Sequence, residues 1–319
     1  MNTNNGSRFI LHVSDFHLTE TNVDYAKKIL KKLVDKLSYE KVKVDYLIHT
    51  GDIINSSDAY IIVAKKLEID EKFFIKEKSE IIFDKESFIK NVDKQQIKKF
   101  NFELKRLVNS RFKIAKEVFK EFISNLNIPL GNVIICSGNH DVLQLLPITE
   151  SKTTCDKEEE EKWVYISGNV PDNSFKPFEK FLNELEIANS CSRCHSENSV
   201  TYCNVDNLNF LILNTNWENP YNQKKGYFCT RCDIVNNVLS EITITQNTFN
   251  IIVAHKPLYE ICEKARLSYR RYIQTPFMSN LRKFIGKNGI YLCGDKHTRS
   301  IVGSKFHDIP HYIGGEPLE

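Results

Sequence analysis

Five short segments of this chain carry the residue types that bind divalent cations. They are Ser14-Asp15-Phe16-His17, Thr50-Gly51-Asp52, Ser137-Gly138-Asn139-His140-Asp141, His255-Lys256-Pro257 and Gly294-Asp295-Lys296-His297. Carboxylate, imidazole and amide carbonyl oxygen together suit ions of intermediate hardness, such as Mn, Fe or Zn. Two such ions about 3.5–4 Å apart can clamp a phosphoryl group, ionise a water near neutral pH and offset the charge of the transition state. Glycine beside a ligand lets the backbone turn sharply and come close to a metal.

Each segment follows a predicted strand. Arg8–Val13, Asp45–His49, Asn132–Cys136, Asn250–Ala254 and Gly289–Cys293 are short apolar runs rich in β-branched residues, and Leu208–Leu213 is a sixth. Runs of this length bounded by Gly, Asp or Asn read as buried strands. Val23–Leu37 has apolar residues at Ile29, Leu30, Leu33, Val34 and Leu37, the spacing of an amphipathic helix. Strands alternating with helices imply an α/β architecture, whose ligands sit at the carboxyl edge of the sheet. His12 and His49 fall inside strands and are read as packing residues, and Lys305–Ile313 reads as a last strand.

The five motifs, in this order, resemble those of the calcineurin-like metallophosphoesterases: Asp-x-His, Gly-Asp, Gly-Asn-His-Asp or -Glu, a His close to Pro, and Gly-His-x-His. The resemblance runs from Arg8 to about Gly315, with two insertions outside it. It implies an α/β fold, the four-layer α/β sandwich of that family, and two divalent ions. Asp15, His17, Asp52 and His297 would hold the first ion. Asp52 would bridge to the second, held also by Asn139, His255 and Asp295. His140 would protonate the leaving oxygen or contact the phosphate, with Asp141 orienting its imidazole. One motif departs: Gly-His-x-His reads Gly-Asp-Lys-His, so Asp295 stands where the family has His. A carboxylate there makes the site more anionic and favours harder ions such as Mn over Zn. Lys256, Lys296 and Arg299 are read either as contacts to substrate phosphate or as solvated surface.

The chain is read as a single domain over 1–319 with a Lys-rich helical insertion over 58–127 and an acidic, Cys-rich insertion over 149–200. The first insertion has sixteen Lys and Arg against ten Asp and Glu between Ala64 and Lys120, which suits a solvated face or a surface collecting an anionic substrate. Cys191-Ser192-Arg193-Cys194 and Cys229-Thr230-Arg231-Cys232 form two Cys-x-x-Cys pairs. Four thiolates from Cys191, Cys194, Cys229 and Cys232 would close one structural zinc site, although the gap between pairs exceeds that of compact zinc ribbons. Unligated reduced thiols are the competing reading.

With 41% apolar residues and a formal charge of +3, the composition is that of an ordinary globular chain and too weakly basic to argue for nucleic acid by charge alone. No stretch approaches the ~18 apolar residues that cross a bilayer, so no membrane partner is expected. Nine cysteines, an odd number with several inside apolar runs, fit the reducing cytoplasm better than a disulfide framework. The expected substrate is a phosphate mono- or diester, with nucleotides or nucleic acid favoured by the basic insertion. The alternative is a non-catalytic phosphate- or nucleotide-binding module that keeps the fold. Because the chain stops soon after Gly314-Gly315, it is also read as the N-terminal effector domain of a longer protein.

Overall fold

The computed structural model describes residues 7–77, 80–146, 148, 170–187, 200–215, 232–242, 248–258, 276–295, 302–306 and 309–313. In chain order its strands are β1 (Ile10–Val13), β2 (Tyr46–His49), β3 (Phe74–Glu77), β4 (Glu80–Phe83), β5 (Val133–Ile135), β6 (Val200–Val205), β7 (Leu208–Leu213), β8 (Phe249–Ala254), β9 (Ile290–Cys293), β10 (Val302–Phe306) and β11 (Ile309–Ile313). Its helices are α1 (Val23–Tyr39), α2 (Ala59–Lys66), α3 (Lys85–Asn91), α4 (Lys94–Leu126), α5 (Val170–Glu184), α6 (Cys232–Glu241) and α7 (Pro276–Ile285).

Period-two alternation sorts the strand residues into layers. β1, β2 and β5 form a parallel sheet with β2 in the middle. A second, mixed sheet has the order β10-β11-β9-β8-β7-β6, parallel from β7 through β8 and β9 to β11 and closed by an antiparallel strand at each edge. Tyr46, Ile48, Ile134 and Cys136 from the first sheet meet Phe210, Ile251, Val253 and Leu292 from the second in one apolar cluster, so the sheets pack face to face. Their alternate residues point the other way. Val13, Leu47, Val133 and Ile135 pack with residues of α1, α2, α4 and α5. Leu211, Ile252, Tyr291 and Cys293 pack with residues of α6 and α7. The result is helix, sheet, sheet, helix, the four-layer sandwich that the motif order implies. Lys305–Ile313 is two strands, because Phe306 pairs with Ile309 across a reversal of the chain.

The Lys-rich segment is helical at both ends but not throughout. β3 and β4 make an antiparallel hairpin in register from Phe74↔Phe83 to Glu77↔Glu80. Aromatic packing holds it down: Phe83 stacks on Phe100 of α4 at 5.2 Å and meets Phe88 of α3 at 5.1 Å. α4 starts on a capping box between Asp93 and Gln96 and ends at Asn127, whose φ of 53° is the left-handed stop. Along it Ile97, Phe100, Leu104, Val108, Arg111, Ala115, Val118 and Phe122 are buried, three or four residues apart. The segment's basic residues are partly matched by acidic ones: Lys66 of α2 pairs with Glu103 at 2.6 Å, and Lys116 of α4 with Glu184 at 2.8 Å.

His49 shows what a strand histidine does here. It is fully buried, its ring lies 4.6 Å from that of Phe16 and 5.2 Å from that of Phe119, and Nδ1 accepts from the backbone N–H of Gly51. Burial, then the neighbouring His12, lowers its pKa to about 3, so the imidazole is neutral. Burial likewise lowers His12 to about 4.

Candidate metal centre

The carboxyl ends of β1, β2 and β5 from one sheet and β8 and β9 from the other open onto one place. Backbone bonds lock their loops together. Asp15 N–H donates to Gly51 O at 3.0 Å, His17 N–H to Asp52 O at 3.0 Å, and Gly294 N–H to His255 O at 3.0 Å. Across the sheets, His255 Nδ1 lies 2.8 Å from Thr50 O, which the ring can reach only as donor. Nε2 is left facing the site; burial would lower the imidazole's pKa, but Asp52 and Asp295 raise it well above the ordinary value, and a bound ion would take the place of the Nε2 proton.

Four of the nine non-glycine residues with positive φ among the described residues are candidate ligands. Asp15, His17, Asp52 and Asp295 have φ of 56°, 45°, 57° and 71°, in the left-handed region that costs of order 1–3 kcal/mol per residue and clusters at functional sites. Two glycines allow the close approach. A Cβ on Gly51 would lie 2.6 Å from Gly138 N, and one on Gly138 would lie 2.0 Å from Asp52 Oδ1.

Asp52 is at the centre. Its Oδ1 accepts from the backbone N–H of His140 at 2.8 Å. Its Oδ2 faces three imidazoles, with Nε2 of His255 at 3.3 Å, of His17 at 3.8 Å and of His140 at 3.9 Å. Burial would raise this carboxyl, but His255, His140 and His17 together hold it far below the ordinary carboxylate range. His255 Nε2 also lies 3.0 Å from Asn139 Oδ1 and 3.3 Å from Asp295 Oδ1. Asp15 accepts from Asp295 N–H at 3.2 Å. Ligand atoms of Asp15, Asp52 and His255, and of His17, Asp52 and His140, fall in two groups within 4.8 Å that share Asp52. A buried set of carboxylate, amide and imidazole donors, with one carboxylate common to both groups, fits two divalent ions with a bridging ligand.

Seven of the residues expected from sequence, Asp15, His17, Asp52, Asn139, His140, His255 and Asp295, are brought together here. His297 lies outside the described residues, as do Cys191, Cys194, Cys229 and the side chain of Cys232. Asp141 is placed differently from the expectation. Its Oδ1 accepts from the N–H groups of Ile53 and Ile54 at 2.8 and 3.1 Å, and its Oδ2 from Gly138 N–H at 2.8 Å. It therefore braces the Asp52 and Asn139 loops instead of orienting His140. Burial, then the charge of Asp52, raises its pKa to about 7.

The residues that do hold His140 were not singled out in the sequence. Nδ1 lies 3.2 Å from Asn55 Oδ1 and 3.0 Å from Ser57 Oγ. Ser57 N–H donates to the same Asn55 oxygen at 3.0 Å, which fixes the amide orientation. Nδ1 of His140 must then carry the proton, and Nε2 is the nitrogen turned toward Asp52. Lys256 also differs from expectation. It is not at the surface: it is 4% exposed, and its ammonium donates to Asp295 Oδ1. For Asp295, burial is outweighed by His255 and Lys256, and its pKa is lowered.

A family model described as calcineurin-like phosphoesterase matches residues 10–299. Among solved structures, the chain is similar to the purple acid phosphatase PPD1 from seeds of yellow lupin (Lupinus luteus), at 12% identity and a TM-score of 0.40, over 97% of this chain and 44% of that one. It is similar also to a putative 5'-nucleotidase from Staphylococcus aureus in complex with alpha-ketoglutarate, at 12% identity and a TM-score of 0.41, over 97% and 48%. This chain thus spans less than half the length of either. No curated protein matches it.

Proposed function

The chain belongs to the calcineurin-like phosphoesterases, and from that membership we propose that it hydrolyses phosphate mono- or diesters with two divalent ions. The observation that carries the reading is Asp52 Oδ2, a buried carboxylate oxygen faced by three imidazole nitrogens delivered from both sheets. Asp15, His17 and Asp52, with His297, would hold one ion; Asp52, Asn139, His255 and Asp295 would hold the other. When bound, such ions neutralise phosphoryl charge and favour ionisation of a water. The chain's own part is positional. Asp141 fixes the Asp52 and Asn139 loops, and His140, held at Nδ1, presents Nε2, which in the imidazolium form would give its proton to the leaving oxygen and leave the Nδ1–H tautomer behind. A nucleotide or nucleic acid is the proposed substrate class, on the basic excess of the insertion, and a structural zinc on Cys191, Cys194, Cys229 and Cys232 belongs to the same reading. The test is a panel of aryl monoester, bis-aryl diester and oligonucleotide substrates with Mn, Mg, Zn or Ni. Turnover with at least one metal is expected. Two bound ions with no turnover of any ester would leave the binding-module alternative.

Asp295 yields a second expectation. The extra negative charge it brings is offset by Lys256, so the second ion faces a site less anionic than the ligand set alone implies. Lys256→Met removes a cation close to that ion, and its affinity for Mn should rise tenfold or more, the scale of a charge interaction at these distances. Asp295→His should bind the second ion more weakly than Asp295→His/Lys256→Met, since the ammonium would face the ion without the Asp295 carboxylate to offset it. Titration calorimetry of metal-free protein reads both. No gain of affinity in Lys256→Met would show that the ammonium does not oppose the ion.

A further inference from the structure

Arg111 heads the large, fully buried side chains among the described residues, 1% exposed, although α4 carries its other charges outward. Its guanidinium makes four hydrogen bonds. Nη1 donates to the carbonyl of Asn55; Nη1 and Nη2 fork onto Asp58 at 2.6 and 3.2 Å; and Nε donates to Glu20 at 3.1 Å. Glu20 lies three residues beyond His17, on a loop whose Asn22 donates to His17 O at 3.0 Å. Asn55 and Asp58 lie on the loop beyond Asp52. One planar cation thus ties together the two loops that leave the candidate ligands of β1 and β2. The carbonyl it grips belongs to the same residue whose side-chain oxygen meets His140 Nδ1, and Ser57, the other partner of that nitrogen, sits between Asn55 and Asp58.

From these contacts we infer that Arg111 is a positioning residue for His140, so that the inserted helix α4 sets the direction of the proton-donating imidazole. The inference rests on the role proposed above for His140. The guanidinium touches neither substrate nor imidazole; it fixes the Asn55 carbonyl, the Asn55 side chain follows, and the ring is held at Nδ1 with Nε2 toward the reacting phosphate. Lysine keeps the charge but cannot grip a carbonyl and a carboxylate in one plane.

The test compares wild type with Arg111→Lys, both metal-loaded, on phenyl phosphate and p-nitrophenyl phosphate, and reads the ring nitrogens of His140 by NMR of isotope-labelled histidine. His140→Ala assigns the signal. Turnover of phenyl phosphate, whose leaving group needs a proton, should fall about 10- to 100-fold, the scale of a slightly misplaced catalytic group. The p-nitrophenyl ester should lose no more than about threefold, because its leaving group needs little protonation. The double variant Arg111→Lys/His140→Ala should be no slower than His140→Ala alone, and the Nδ1–H signal should broaden or shift. Equal losses on both esters with the ring signal unchanged would make Arg111 a mere strap and overturn the inference, as would no loss at all. If wild type turns over neither monoester, the same comparison is made on the phenyl and p-nitrophenyl diesters; if it turns over no ester at all, the proposed function fails, while the ring signal still decides the inference. Should Arg111→Lys not fold, Asp58→Asn weakens the same fork from its exposed side and carries the same expectations.

Discussion

Asp52→Asn is expected to abolish turnover, by on the order of 10³-fold or more, and to lower bound metal from two ions toward none. The substitution is nearly isosteric, and asparagine accepts the left-handed backbone of this position as readily as aspartate. One amide oxygen can still receive the His140 N–H now bound by Oδ1. What changes is the other atom. An NH₂ group would replace Oδ2, which is faced by His255, His17 and His140 and is common to both candidate ligand groups. Both ions would lose a negative ligand through one change, whereas Asp15→Asn or Asp295→Asn should weaken one ion preferentially. Metal analysis after gel filtration, with circular dichroism to show a retained fold, measures this. Near-normal activity, or two ions retained, would remove Asp52 from the bridging role.

The strands carrying the site were legible because each is a short apolar run that ends on an unusual polar tripeptide. Leu47 and Ile48 point to opposite faces of the sheet and both are buried, so the run is apolar throughout and easily seen. β6 was harder. Thr201, Tyr202 and Asn204 interrupt its apolar residues, since an edge strand is covered on one side only. The β3–β4 hairpin was hidden for a different reason: its Lys and Glu residues continue the composition of the helices around it, and what fixes it is contact of Phe83 with Phe88 and Phe100, distant in sequence. Ligand types were likewise readable from motifs, but their supporting partners were not. Asp141 follows His140 directly, and adjacency suggested contact; yet its side chain turns to three backbone N–H groups. Asn55, Ser57 and Arg111 are ordinary polar residues in sequence. They gain meaning only where the loop after β2 and the middle of α4 are brought together, through Arg111 and Asp58.

Truncation of the imidazole itself separates two readings of His140 that the geometry leaves adjacent. His140 falls in one candidate ligand group with His17 and Asp52, yet its Nε2 is 3.9 Å from Asp52 Oδ2, the longest of the three imidazole distances. His140→Ala should lower turnover of a poor leaving group by about 10²–10⁴-fold, the span of a positioned general acid, with both ions retained. The retention follows from a backbone contact: the bond from residue 140 to Asp52 Oδ1 is made by its N–H, which alanine keeps. Asp52 therefore stays in place when the ring is gone, and Asp141 still braces the loop through Gly138. Asn55 and Ser57 lose one partner, but Ser57 N–H still holds the Asn55 oxygen. If metal content fell together with activity, the ring would be a ligand, and the rate loss would be the same for good and poor leaving groups, because every ester depends on the ions. A loss that shrinks as the leaving group improves, at constant metal content, is what a proton donor alone produces.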